Sequence, residues 1–322
     1  MNVIRLLCAC AALFAAGAAS AQPRDFPQRP IRSVVPVPPG GSVDATARLL
    51  APKLSESLGQ SVVIDNRGGA STNIGMELVA RAPADGYTLL ANTAPLVANP
   101  ALFPKLPFSP EKDFAPLSLV VTGPSVVVVH PSVPVRTLAE LITLAKAKPG
   151  SINYSSSGAG TLTHLGAELF KYLSGTNIVH VPYKGGGPAL AAVVAGEIDL
   201  TFQTPLAAAG QIKAGRLRAL AVTAQKRLAI LPEVPTAGES GMPKYEFQSW
   251  VGLLAPATTP QPVLRLLHEH IVKAARSPDI AERFTREGAE VVAGTPEQFR
   301  KVMADETALW TRVIREMGIK AE

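Results

Sequence analysis

The residues best suited to chemistry are hydroxyl, glycine and backbone N–H groups that follow predicted strands. The segment 154–161 reads Tyr-Ser-Ser-Ser-Gly-Ala-Gly-Thr and precedes a predicted helix. Because the N–H groups and the dipole at a helix start favour an anion, this segment predicts carboxylate binding. The alternative is a capped helix start without a ligand. The candidate ligand-binding residues here are Ser155, Ser156, Gly158, Gly160 and Thr161.

A second loop has the same character. Segment 37–44 reads Val-Pro-Pro-Gly-Gly-Ser-Val-Asp, in which the prolines stiffen the strand exit and the glycines let a ligand approach the backbone. The alternative is an ordinary strand–helix turn. Asp44 is unexpected beside an anion, and its carboxylate either caps the helix or accepts from the loop backbone. The candidates are Pro38, Pro39, Gly40, Gly41 and Asp44.

Further candidates lie just after other predicted strands or at helix starts. The loop 180–188 contains Tyr183 and Lys184, and a solvated lysine is the simpler reading for the second of these. His164 lies one turn into the helix after the serine segment, where it either orients that segment or simply packs. The remaining candidates are Ser71, Thr72, Asn73, Thr93, Gln203 and Thr204.

Enzyme signatures are missing from the sequence. It has no phosphate-binding Gly-x-x-x-x-Gly-Lys-Ser/Thr loop, no dinucleotide fingerprint and no Gly-x-Ser-x-Gly nucleophile elbow. His268 and His270 are two residues apart, so on a helix they point in different directions and chelate poorly. The sequence therefore predicts no catalytic residue, no metal site and no cofactor. A hydrolase or isomerase would need a nucleophile–base pair that we do not find.

The N-terminus predicts export. Arg5 precedes a short apolar run, and Ala19-Ser20-Ala21 fits a signal-peptidase site, so residues 1–21 form the predicted signal peptide. A membrane anchor is the alternative, but the run is short for a span. The chain's two cysteines, Cys8 and Cys10, lie in this segment, so the exported chain has no thiol. We therefore expect a periplasmic protein.

Charge and length narrow the class further. The chain carries 31 Lys and Arg against 25 Asp and Glu, a net charge of +6, and Arg5 leaves with the signal peptide. This basic excess helps to attract anions but is too dispersed for a nucleic-acid footprint. A length of 322 residues suits two lobes.

The elements that must position these loops alternate between strand and helix, which predicts an α/β fold with parallel pairing. We expect lobe one at 22–123 plus 249–322 and lobe two at 124–248, with a hinge and a cleft between them. Ligands bind at the carboxyl ends of strands in such sheets. Predicted strands are 31–37, 61–65, 87–91, 117–121, 125–130, 152–154, 178–181, 198–202, 217–223 and 250–254. Predicted helices are 42–58, 74–81, 138–146, 161–173, 188–195, 206–213, 262–274, 279–287 and 296–317.

At these loops the sequence resembles the periplasmic receptors of tripartite tricarboxylate transporters, also called Bug receptors. Three segments depart from the pattern of that family. They are Gly69-Ala70-Ser71-Thr72, where Gly-Ala-Gly-Gly is common, Tyr154-Ser155-Ser156, where Tyr-Gly-Ser is common, and Gln203-Thr204. These changes add hydroxyls to the expected pocket. The matching segments are 30–32, 35–41 with Asp44, 66–67, 73–75, 84–90, 164–165, 168–170, 180–185, 187–189, 214–215, 217–223, 231–236 and Trp250.

The resemblance implies a type II periplasmic-binding-protein fold whose lobes close on a small carboxylate. It implies that Pro38 to Gly41 contact one end of the ligand and that Ser156, Gly158, Gly160 and Thr161 grip a carboxylate. It also implies a two-component membrane permease as partner, driven by an ion gradient. We expect a monomer. A periplasmic sensory protein that hands the same ligand class to a signalling partner is the alternative function.

Overall fold

The computed structural model describes residues 26–103 and 105–320, and the predicted signal peptide lies outside them. The strands of this part of the chain form two separate sheets, one of six strands and one of five. In chain order the elements are β1 (Ile31–Val35), α1 (Ser42–Leu58), β2 (Val62–Asn66), α2 (Asn73–Ala80), β3 (Thr88–Asn92), α3 (Pro95–Leu102), α4 (Pro110–Asp113), β4 (Phe114–Pro124), β5 (Val126–Val129), α5 (Leu138–Ala147), β6 (Asn153–Ser156), α6 (Leu162–Ser174), β7 (Val179–Pro182), α7 (Gly186–Val194), β8 (Leu200–Gln203), α8 (Pro205–Lys213), β9 (Arg218–Val222), β10 (Gln248–Pro256), α9 (Gln261–Ala275), α10 (Pro278–Arg286), β11 (Glu290–Val291) and α11 (Pro296–Met317).

The first sheet has the strand order β11-β4-β10-β3-β1-β2. β1 pairs in parallel with β2 and β3, as the alternation of strands and helices predicts. β10 runs antiparallel to β3 and β4, so the expectation of parallel pairing is wrong for this strand. The reason is connectivity: β10 enters from the second sheet without a crossover helix, so nothing returns it to the same direction. The sheet is therefore mixed.

The second sheet has the order β7-β6-β8-β5-β9. β6 pairs in parallel with β7 and β8, but β5 runs antiparallel to β8 and β9, so the expectation of parallel pairing is wrong for β5 as well. The chain passes between the sheets twice, at Ser125 between β4 and β5, and at Phe247 just before β10. Thr223 links the two crossings, because its hydroxyl accepts from the Ser125 N–H at 2.8 Å and donates to the carbonyl oxygen of Phe247. The two connections thus lie side by side, the arrangement that a hinge requires. The division at 124 and 248 stays a prediction.

The C-terminal helix contacts elements of both sheets. Trp310 of α11 packs edge-on against Phe247 with ring centroids 5.9 Å apart, and the Tyr172 hydroxyl of α6 donates to Glu316 at 2.8 Å. α11 also packs along α3. In the described part of the chain, no helix is both long and apolar enough to cross a membrane.

α3 was not predicted from the sequence. It contains Pro95 and Pro100, which weaken a helical signal, and it is only 8 residues long. Pro95 occupies the helix start, where a missing N–H costs nothing. The helix is stabilised by burial instead, because six of its eight residues are buried. This element matters for the site described next.

Candidate functional site

The serine and glycine segment forms a tight loop between β6 and α6. The Ser157 N–H donates to Thr163 Oγ1 at 2.8 Å, and the Thr161 hydroxyl donates to the Gly158 carbonyl at 2.6 Å. Thr161 is the residue before α6, and its side chain does not cap that helix. The loop is therefore held by its own hydroxyls, while the start of α6 lacks a side-chain acceptor.

Two histidines lie beneath this loop and bind it at two points. Gly160 donates its N–H to His164 Nδ1 at 3.1 Å, and Ser156 Oγ lies 2.6 Å from His180 Nε2. The two imidazole rings are 4.3 Å apart between centroids. Gly158 donates its N–H to Ser156 Oγ at 3.1 Å. His164 therefore orients the loop, which was one of the two roles considered from the sequence.

These bonds decide which donors remain for a ligand. The N–H groups of Gly158 and Gly160 are used inside the loop, contrary to the expectation that they grip a carboxylate directly. Among the residues that the structure describes, no hydrogen bond uses the N–H of Ala159 or Leu162. Leu162 is the first residue of α6, where the N–H has no partner inside the helix. The donors left for an anion are thus backbone groups at the helix start.

The ionisable side chains beneath the loop are either neutral or paired. Burial, with a smaller contribution from Lys171, lowers the pKa of His164 to about 4. Burial also lowers the pKa of His180 to about 4, so both rings are neutral near pH 7. Glu168 accepts from Tyr154 at 2.6 Å and from Lys171 at 2.7 Å, which compensates its charge. The loop therefore presents neutral donors.

The loop at 38–41 is organised by Asp44. Gly40, which has a φ of +95°, donates its N–H to Asp44 Oδ2 at 2.9 Å. Arg48 pairs with the same carboxylate at 3.0 Å, and Asn66 donates to Asp44 Oδ1 at 2.9 Å. Burial alone would raise the pKa of Asp44, but these hydrogen bonds outweigh it and hold the pKa below its usual value. Asp44 thus accepts from the loop backbone, and its charge is balanced by Arg48.

A third segment, 71–73, lies against α3. Asn99 of α3 donates from Nδ2 to the Ser71 carbonyl at 2.7 Å and to Asn73 Oδ1 at 2.8 Å. Thr72 is buried at 5% exposure, and its hydroxyl has no hydrogen-bond partner among the described residues. Sequence analysis missed Asn99. The available signal was a single amide inside the apolar run 94–102.

The serine and glycine loop of the second sheet faces this segment of the first. A Cβ placed on Gly160 would lie 2.9 Å from Asn99 Oδ1, 3.2 Å from Leu102 Cδ1 and 3.9 Å from Ser71 Cβ. Pro38 lies next to the loop that leads from β2 to Ser71, because a Cβ on Gly68 would be 3.2 Å from Pro38 Cδ. The predicted loops therefore converge on one contact between the two sheets.

Ser155 and Tyr183 are placed differently from the rest. The Ser155 hydroxyl is fully buried and donates to the Ala189 carbonyl at 2.8 Å, away from the loop. This follows from the pleat, which turns alternate side chains of β6 to opposite faces. Tyr183 donates its N–H to the Ser156 carbonyl at 2.9 Å, and its ring packs against the core of the second sheet. Neither side chain is brought to the converging loops.

Three other candidates have local roles. Gln203 donates to Thr201 Oγ1 at 3.2 Å and is buried at the end of β8. Thr204 caps α8 by accepting from the Ala207 N–H at 3.4 Å. Thr93 is buried before α3. In residues 26–103 and 105–320, no cluster of His, Cys, Asp or Glu is arranged to hold a metal ion.

Comparison with known proteins decides the family. The profile described as "Tripartite tricarboxylate transporter family receptor" matches residues 46–319. The chain belongs to this family. It is 40% identical over 325 aligned positions to Protein BugT of Bordetella pertussis, an alignment that covers 99% of each chain. The resemblance seen in the sequence is confirmed, and family members are periplasmic binding proteins rather than enzymes.

Two solved structures share the fold. Rpa4515 of R. palustris, solved with adipate, is 37% identical with a TM-score of 0.85, covering 92% of this chain and 99% of its own. MatC from Rhodopseudomonas palustris, solved with bound malate, is 31% identical with a TM-score of 0.83, covering 90% of this chain and 100% of its own. The two-lobed binding-protein fold is thereby confirmed.

Proposed function

We propose that this receptor captures a small carboxylate between its two lobes in the periplasm and presents it to a two-component, ion-gradient-driven membrane permease. The observation that carries the proposal is the unused backbone donors at the start of α6, in the loop whose Gly160 lies against Ser71 and Asn99. Such donors, with the helix dipole behind them, suit a carboxylate. The adipate and malate in the two related structures agree with this ligand class.

The capture mechanism follows from the geometry. In an open form the two crossing strands beside Thr223 act as the hinge, and the ligand meets the loops of one lobe. Closure then excludes water, so hydrogen bonds to the carboxylate strengthen in the lower dielectric. Because the histidines beneath the loop are neutral, the anion is held by preorganised dipoles. Export, a monomeric state and the lobe boundaries at 22–123, 124–248 and 249–322 belong to the same proposal.

A thermal-shift screen against mono-, di- and tricarboxylates tests the proposal, followed by calorimetry on the best ligand. We expect saturable binding without turnover, with an unfolding temperature that rises with ligand concentration. Uptake of that ligand by vesicles containing the permease should require the receptor. A panel in which no carboxylate shifts the unfolding temperature would contradict the ligand class. Binding without permease-dependent uptake would instead favour the sensory alternative.

Removing a single backbone N–H tests whether the start of α6 binds the ligand carboxylate. Leu162→Pro deletes one N–H at the helix start, where proline is favoured. Thr161, with φ −75° and ψ 166°, already has the extended backbone that proline requires before it. Leu162→Ala trims the same side chain and keeps the donor. We expect Leu162→Pro to bind about tenfold more weakly than Leu162→Ala, the cost of one hydrogen bond to a charged group. Equal affinities would remove the start of α6 from the site.

A further inference from the structure

A buried carboxylate belongs to the cluster of side chains that holds the serine and glycine loop. Glu168 is 2% exposed, and its Oε1 accepts from the Tyr154 hydroxyl at 2.6 Å and from Lys171 Nζ at 2.7 Å. Taking a charged pair out of water is costly, and well-packed apolar side chains of similar volume are often as stable or more so. Stability alone therefore does not account for a glutamate at this position.

The geometry of α6 places Glu168 beside His164. The two residues are four apart in the helix and Lys171 follows three residues later, so the three side chains lie on one helix face. His164 Nε2 lies 4.0 Å from Glu168 Oε1, which is too long for a hydrogen bond. Because both side chains are buried, the carboxylate still acts on the imidazole with little screening by water.

The contacts at the two ring nitrogens select the same tautomer of His164. The Gly160 N–H can only donate, so Nδ1, which lies 3.1 Å from it, carries no proton. Burial lowers the pKa of His164 to about 4, so the ring is neutral near pH 7 and its single proton is on Nε2. That proton faces the Glu168 carboxylate, whereas the other tautomer would set a lone pair against it. The carboxylate thus favours the tautomer that holds Gly160 and strengthens Nδ1 as an acceptor.

A second route leads from Glu168 to the other histidine. Tyr154 and Ser156 lie on one face of β6, and the parallel pairing with β7 brings His180 into register with Tyr154. The Tyr154 and His180 rings stack with 4.9 Å between their centroids. Glu168 anchors the stacked ring of Tyr154 by accepting from its hydroxyl. The His180 ring is thereby held where its Nε2 lies 2.6 Å from Ser156 Oγ.

We propose that Glu168 is a positioning residue for ligand binding, which acts through the two histidines on the backbone of the serine and glycine loop. Lys171 balances its charge within the same buried cluster. The inference rests on the proposed function, because it assumes that this loop binds a carboxylate. It gives the buried carboxylate a role in shaping the loop rather than in stabilising the fold.

A double variant separates positioning from stability. Glu168→Met with Tyr154→Phe removes the carboxylate together with the hydroxyl that pairs with it, and the Lys171 side chain, which is 16% exposed, can turn to water. The unfolding temperature without ligand should stay within a few degrees of wild type. The dissociation constant of the best carboxylate should rise about tenfold in calorimetry, as when a group that orients a functional histidine is lost. Wild-type affinity in the folded double variant refutes the positioning role.

A conservative variant and a control accompany it. In Glu168→Gln an amide oxygen can take the position of Oε1, accept from Tyr154 and face His164, so the affinity should stay within about threefold of wild type. Tyr245→Phe is the control, because its buried hydroxyl also contacts α6 but donates to the Gly166 carbonyl at 2.9 Å. It should lower stability and leave the affinity unchanged. A tenfold loss of affinity in Tyr245→Phe would show that general loosening of the lobe weakens binding, and would overturn the inference.

NMR of the imidazole nitrogens in the ligand-free protein adds a readout that needs no ligand and no variant of Glu168. The His164 signals, assigned by their absence in His164→Asn, should show a proton on Nε2 and none on Nδ1 at pH 7. A proton on Nδ1 contradicts the inference. If the tautomer is as expected but no carboxylate binds, the proposed function fails; if a carboxylate binds equally well to wild type and the double variant, the positioning role alone fails.

Discussion

Replacing His164 tests how the ligand loop is held. His164→Leu removes the acceptor of the Gly160 N–H, which lies 3.1 Å from Nδ1 in a buried position. An unpaired buried N–H costs about 1–3 kcal/mol, so the loop should release Gly160 rather than keep it unpaired. Ordering the loop again on ligand binding then takes about 1–2 kcal/mol. We expect the dissociation constant to rise about tenfold.

His164→Asn provides the rescue, because an amide oxygen can stand near the position of Nδ1 and accept the same bond. It should recover most of the affinity. His270→Leu is the control: His270 also has a lowered pKa from burial and contacts Ser57 Oγ at 2.9 Å, but Ser57 lies at the C-terminal end of α1. Calorimetry with the best carboxylate at pH 7 measures all three. Wild-type affinity in His164→Leu would refute the positioning role.

The same residue predicts a pH dependence of stability. The pKa of His164 in the folded protein is about 4, below its ordinary value of 6.5. The unfolded chain therefore binds a proton that the folded chain does not, so stability falls as pH drops from 6.5 towards 4. The shift corresponds to about 3 kcal/mol for this group. Denaturant unfolding should show this slope in wild type and a shallower slope in His164→Asn.

Three further predictions concern the cleft, the C-terminal helix and salt. Gly160→Ala should weaken ligand binding at least tenfold, because its Cβ would lie 2.9 Å from Asn99 Oδ1 at a φ of +72°. The control is Gly175→Ala, where φ is +63° and nothing lies within 4 Å of the added Cβ; it should lose similar stability but bind the ligand normally in calorimetry. Burial raises the pKa of Glu306 to about 7 although Trp250 donates to it, so stability falls as pH rises from 4.5 to 7. Glu306→Gln removes the carboxylate that is ionised at pH 8, so it should raise the free energy of unfolding at that pH in urea titrations. The expected gain is about 1–2 kcal/mol, less than the full pKa shift implies because Glu306 keeps some solvent contact. A decrease in the free energy of unfolding would contradict this sign. Affinity for a carboxylate should fall by about threefold or less between 50 and 500 mM salt, since the donors are buried and uncharged; a steep fall would indicate exposed Lys or Arg pairing.

Local sequence determined most of the elements. α1 begins at Ser42 and ends at Leu58 as predicted, because apolar residues recur at helical spacing and Gly59 ends the helix with a φ of +68°. α11 spans Pro296–Met317 as predicted, with a capping box at Thr295. The α6 loop was also found from its composition, since hydroxyls and glycines before a helix mark a potential anion site wherever the chain goes.

Only the tertiary structure decided how the binding groups are used. The sequence shows that Gly158 and Gly160 are flexible, but the positions of Ser156 and His164 after folding determine that their N–H groups are already bonded. Asn99 could not be recognised, because it lies in a short proline-bearing helix stabilised by burial rather than by local propensity. Its contact with Ser71 spans 28 residues of sequence. Spacing along the chain predicts neighbours within an element, whereas contacts between separate elements depend on how the whole fold packs them.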